Sequence, residues 1–211
     1  KGQQAENTAV GANTGIMDQM ASLMGEAGQA VFLDCRTLTY QLVPCDVASA
    51  GLSFVVIDTH TRHSHAGGEY GRRRASCENA AAAAGVSALR DLTMGDLARL
   101  ETLVDNETFR RARHIVSEND RVVATVEALR RRDLAQVGSL LVGSHQSMRD
   151  DFEISTAELD TQVEVALDAG ALGARMTGGG FGGSVIALIA TDRLESLRAS
   201  SVARAAERRM P

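Results

Sequence analysis

Two acids near the start of the chain, Glu6 in AEN and Asp18 in NTGIMDQMASLMG, flank a chain breaker, GANTG. If the break folds the chain back, both carboxylates can meet at one Mg–phosphate centre. In one continuous helix their Cα atoms would lie roughly 18 Å apart at 1.5 Å per residue, too far to share a site. Asp18 also has a plainer reading. Ile16, Met17, Met20, Leu23 and Met24 make an apolar stripe at helical spacing, and an acid on the opposite side can simply be solvated.

A second stretch, RMTGGGFGGSVIAL, places Gly178, Gly179, Gly180, Gly182 and Gly183 around one aromatic, Phe181. Gly178, Gly180 and Gly183 formally satisfy G-x-G-x-x-G, but a dinucleotide fingerprint must open a helix, and Ser184 to Ala190 is β-branched and strand-like. The protein-kinase glycine loop and the P-loop both need a lysine, and Lys1 is the only one. Two readings stay open. The run can be a tight glycine hairpin, or a loop whose backbone N–H groups close on an anion.

A third stretch, DTHTRHSH, carries His60, His63 and His65 and invites a metal hydrolase. His60 and His63 would face opposite ways on an extended strand, however, and no second His or Cys cluster accompanies them. Solvated loop histidines account for them better than a metal site does.

The chain has 211 residues, 44% hydrophobic and 23% charged, with a formal net charge of −5. That length suits one large domain or two small ones with a real core. Mild acidity argues against general nucleic-acid binding, and 3% aromatic residues with no Trp offer little for bases to stack on. No apolar run approaches a membrane span and KGQQAENTAV lacks a signal-peptide profile, so a cytoplasmic protein without a membrane partner is expected. Cys35, Cys45 and Cys77 are odd in number and form no C-x-x-C, which fits reduced thiols.

The elements that must position these residues read as a mixture. A helix ends near Gly11, and the Met-striped helix follows GANTG. QAVFLDCR and YQLVPC are extended, and LSFVVID is a buried strand. GEYGRRRASCENAAAAAG is helical to Gly85. A long helix around FRRARHIVSENDRVVATVEALRRR presents Ile115, Val122, Val126 and Leu129 on one face. Further helices run from Asp133 to about Met148 and through STAELDTQVEVALDAG, the latter capped by Ser155 or Thr156 and ended at Gly170. ALGARMT, GGGFGG and SVIALIA read as strand, turn, strand. Without strict alternation of helix and strand, the class is α+β.

Taken together, AENTAVGANTGIMDQM, FLDCRTL, RHSHAGGEYGRRRASCE, SHQSMRDDFEIS and GARMTGGGFGGS resemble galactokinase, of the GHMP small-molecule kinase superfamily, in order and approximate spacing. The resemblance implies the GHMP kinase fold, two α+β domains with the active site between them. Residues 1–50 would be the C-terminal part of the first domain, and residues 51–211 the C-terminal domain, truncated at its end. It further implies ATP-dependent phosphorylation of D-galactose to galactose 1-phosphate. Asp18 then matches the catalytic aspartate that faces the anomeric hydroxyl rather than solvent, Gly15 lines the sugar pocket, and Tyr70 hydrogen-bonds the sugar. Glu6 matches the acid that helps hold Mg²⁺, and Gly178, Gly179, Gly180, Gly182 and Gly183 match the glycine loop that supports the phosphate region.

Two family motifs are missing, a G-E-H-x-D-Y string that selects the sugar and a G-L-S-S-S loop that cradles ATP. Both normally precede AEN, so the chain reads as a C-terminal portion, inactive alone and monomeric when complete. A kinase for N-acetylgalactosamine or arabinose, or a non-catalytic galactose- and ATP-binding regulator, fits the same residues.

Overall fold

The structure, a computed structural model, describes Thr8, residues 15–61 and residues 66–210. Helix α1 (Met17–Met24) leads into an antiparallel hairpin of β1 (Gln29–Leu33) and β2 (Tyr40–Pro44), the two extended runs read from the sequence. Asp34 shapes the hairpin turn by accepting the N–H groups of Arg36 and Thr37 at 2.7 and 3.1 Å. Both nitrogens at the tip of Arg90 also bond its carboxylate, which holds Asp34 well below the usual carboxylate range.

Strand β3 (Leu52–Asp58) is followed by α2 (Ala66–Ala84), a short α3 (Leu97–Glu101) and the long α4 (Asn106–Arg130). Then come α5 (Leu134–Asp150), α6 (Ala157–Asp168), β4 (Gly173–Thr177), β5 (Ser184–Ala190) and α7 (Leu194–Glu207). Side-chain caps start three helices where the sequence offers an acid or hydroxyl: Asp105 for α4, Asp133 for α5 and Thr156 for α6. Helices α3 and α7 have no counterpart in the sequence reading, because neither carries a strong apolar stripe.

The second sheet is antiparallel with order β3-β5-β4. Asp58 and Thr177 both oppose Ser184, so all three strands meet at one end of the sheet, where the glycine run begins and ends. Its inner face, Met176, Val185, Ala187 and Ile189, packs on Leu159, Val163 and Ala166 of α6 and Leu197 of α7. Helix α5 approaches β4 backbone to backbone. A Cβ on Gly138 would fall 2.2 Å from the Leu172 carbonyl oxygen, so only glycine permits the contact. The imidazole of His145, on α5, accepts the Met176 N–H of β4 at 3.3 Å.

The face expected on α4 needs correction. Ile115 is half-buried and Val122 is exposed, while Phe109, Ala112 and Val116 are buried against α2 and Val126 and Leu129 against the hairpin and α5. A helix of 25 residues here serves two cores, and its buried face shifts between them. No helix among the described residues is long and apolar enough to cross a membrane.

Candidate functional site

The glycine run forms the β4–β5 turn, and its conformation is more particular than a hairpin requires. Gly178, Gly180, Phe181, Gly182 and Gly183 all have positive φ. At two positions a side chain is excluded by contact as well. A Cβ on Gly180 would stand 2.6 Å from both the carbonyl oxygen and the Cβ of Ile154, and one on Gly182 would stand 2.6 Å from the Thr61 carbonyl oxygen.

Those contacts show what holds the loop. Phe181 N–H donates to the Ile154 carbonyl at 2.7 Å, and Gly183 N–H donates to the Thr61 carbonyl at 3.2 Å. In return the Gly183 carbonyl accepts from the N–H and the buried hydroxyl of Thr59, at 3.0 and 2.6 Å. The Phe181 and Gly183 N–H groups are therefore already engaged. Gly178 and Gly179 are exposed, with open space where a Cβ would stand. Their side of the loop offers backbone to an approaching anion.

Asp18 sits in the first turn of α1, where the helix dipole favours a carboxylate. It is exposed, on a helix with no buried residue, and among the described residues it shares no hydrogen bond or ion pair with the glycine loop. The apolar stripe beside it is likewise open: Met17 and Leu23 are 58% and 73% exposed. Gly15, just before the N-cap residue Ile16, is exposed with free space where a Cβ would stand. Tyr70 falls near the start of α2, and its side chain lies outside what the structure describes. Glu6, His63 and His65 lie outside the described residues too. His60 is exposed at φ 53, with Nδ1 3.3 Å from Asp58 Oδ2. Among the described residues, no three His, Cys, Asp or Glu side chains gather to hold a metal.

The sequence reading assigned no role to the segment that braces the loop. Arg73 of α2 is buried, and its Nε donates to the Phe152 carbonyl at 2.7 Å and its Nη2 to the Glu153 carbonyl at 3.1 Å. Its guanidinium carbon lies 5.7 Å from the centroid of the Phe181 ring. Glu153 accepts from Arg110 and Arg111 of α4. The signals were present as RRR and DDFE, but nothing in either string says that they meet.

A cavity of about 210 Å³ opens between the hairpin, α4 and α5, with Glu118, Arg121, Ser144 and Arg175 on its polar wall. These groups satisfy one another. Burial pushes Glu118 up, but hydrogen bonds from Ser144 and Arg121 and the charge of Arg175 leave it below its ordinary value. Cys77, against α4, is no nucleophile at neutral pH, since burial pushes its thiol up to about 11.

A family model described as GHMP kinases C terminal matches residues 125–210. A galactokinase from Streptomyces coelicolor is 54% identical over 189 residues, 89% of this chain and 49% of its own length. One from Mycobacterium tuberculosis H37Rv is 48% identical over 204 residues, 97% of this chain and 56% of its own. The crystal structure of Lactococcus lactis galactokinase complexed with galactose superposes with a TM-score of 0.92 at 36% identity, covering 98% of this chain and 54% of that one. The chain thus spans about half the length of the curated relatives it matches.

Proposed function

Because the chain belongs to the galactokinase family of GHMP kinases, we propose that it forms the part of an ATP-dependent galactokinase that carries the catalytic carboxylate and the glycine loop. The reaction is transfer of the γ-phosphoryl group of ATP to the anomeric hydroxyl of D-galactose, giving galactose 1-phosphate. The observation that carries this reading is the backbone match to a galactokinase that binds galactose, extending over nearly the whole chain.

Each residue then has a task. Asp18 orients the attacking hydroxyl and accepts its proton late, as a loose transition state allows. Gly15 lets the sugar approach the backbone before α1, and Tyr70 donates to or accepts from a sugar hydroxyl. Glu6 holds Mg²⁺, which neutralises charge on the phosphates. The exposed backbone of Gly178 and Gly179 faces the phosphate region, and Gly180, Gly182 and Gly183 fix its shape. Residues 1–50 belong to the first domain and 51–211 to the second. The active enzyme also includes an upstream half that selects the sugar and cradles ATP, and it works as a cytoplasmic monomer.

The test is a sugar panel with the full-length enzyme and Mg-ATP. Galactose should give a higher kcat/KM than N-acetylgalactosamine or arabinose. Phosphorylation of another sugar in preference to galactose would replace the substrate, and saturable galactose binding without ADP release would make the protein a sensor.

A further inference from the structure

Arg73 poses a question that the proposed reaction leaves unanswered: why α2 buries a guanidinium, which is costly to desolvate, beneath a loop on another element. Its contacts answer in sequence. Nη1 meets its own helix through Glu69 at 3.1 Å, while Nε and Nη2 take the successive carbonyls of Phe152 and Glu153. The next carbonyl, that of Ile154, accepts the Phe181 N–H, and the Phe181 ring turns back over the guanidinium. The path closes on itself, from α2 through residues 152–154 to the glycine loop and back.

Two further observations place strain at this contact. Glu153 and Phe181 both have left-handed backbone, φ 52 and φ 61, which non-glycine residues rarely adopt unless their surroundings impose it. Glu153 is pinned by Arg110 and Arg111 through its carboxylate and by Arg73 through its carbonyl. Gly180 lies so close to Ile154 that no side chain fits between them. The loop conformation is thus imposed from 152–154, and Arg73 is the group that grips both.

We propose that Arg73 is a positioning residue for the reaction, holding the glycine loop in its phosphate-facing shape through Phe152, Glu153 and Phe181. It does not touch substrate. The inference rests on the reading of the loop given above. It predicts that losing Arg73 disturbs use of ATP far more than binding of galactose, because the loop moves while α1 and the sugar pocket stay.

The experiment compares the full-length enzyme with Arg73→Lys and Arg73→Ala, measuring kcat, KM for Mg-ATP, galactose affinity and Tm. Lysine keeps a cation, but its compact ammonium lacks the planar fork that spreads the Arg73 bonds over Glu69 and the carbonyls of Phe152 and Glu153. Arg73→Lys should lose about tenfold to hundredfold in kcat/KM for Mg-ATP, the scale of a small misplacement at a reacting centre. Its galactose affinity should stay within about twofold of wild type. Added guanidinium ion should restore part of the activity of Arg73→Ala. If Arg73→Ala fails to fold, the Lys variant still decides. Wild-type kinetics in Arg73→Lys, or equal losses for both substrates, would overturn the proposal. A wild-type enzyme inert toward galactose would instead sink the underlying reading.

Discussion

At the scale of the residue, His114 shows how a group with catalytic chemistry becomes structural. It is buried, shares a 3.0 Å hydrogen bond with Ser147 through Nδ1, and stacks on Phe152 with ring centroids 4.6 Å apart. Burial lowers its pKa to about 4, against an ordinary value near 6.5; the nearby Glu118 and Asp151 oppose the shift but do not outweigh it. Because the folded value lies below the unfolded one, the unfolded chain binds the extra proton between them. This group therefore costs no stability above about pH 6.5, and destabilises progressively as pH falls toward 4, by up to roughly 3 kcal/mol. Thermal melts between pH 7.5 and 4.5 should show that loss, and His114→Gln should flatten it. An unchanged slope in the variant would mean that other groups carry the acid sensitivity. None of this was legible in the sequence, where HIV reads as one turn of a helix and Ser147 lies 33 positions away.

At the scale of the element, the strand–turn–strand around GGGFGG was legible because alternating and β-branched residues flank a dense glycine run. Which glycines fix the shape and which face outward was not. That depends on Ile154 and Thr61, which approach from distant segments. The distinction can be measured. Gly180→Ala, with φ +85 and no room beside Ile154, should destabilise the protein by about 1–3 kcal/mol and remove most activity. Gly179→Ala has space and ordinary backbone, so its urea midpoint should match wild type while KM for Mg-ATP rises. Matching stability losses in the two variants would show that the loop is not braced as described. The face of α4 departs from a single stripe for a related reason: one helix packs on two cores in turn.

At the scale of the whole molecule, the α+β class and the order of most elements followed from periodicity and capping residues, whereas the extent of uncovered surface did not. Strand β3, expected from its continuous apolar run to be buried, instead turns alternate residues outward, with Phe54 38% and Val56 64% exposed, and on α1 Met17 and Leu23 are 58% and 73% exposed. Apolar surface of that kind favours association. The 211-residue chain expressed alone should therefore aggregate in light scattering and bind Mg-ATP poorly, and co-expression with the upstream half should rescue both. Tight Mg-ATP binding by a soluble, monomeric chain would place the nucleotide site within these residues. The central claim, that this chain carries the acid of a galactokinase, is tested most directly at Asp18. Steady-state galactose phosphorylation by the full-length enzyme should fall at least about a hundredfold in Asp18→Asn, the scale of losing a general base, with the melting temperature preserved. Retention of more than about a tenth of the rate by the folded variant would contradict the account.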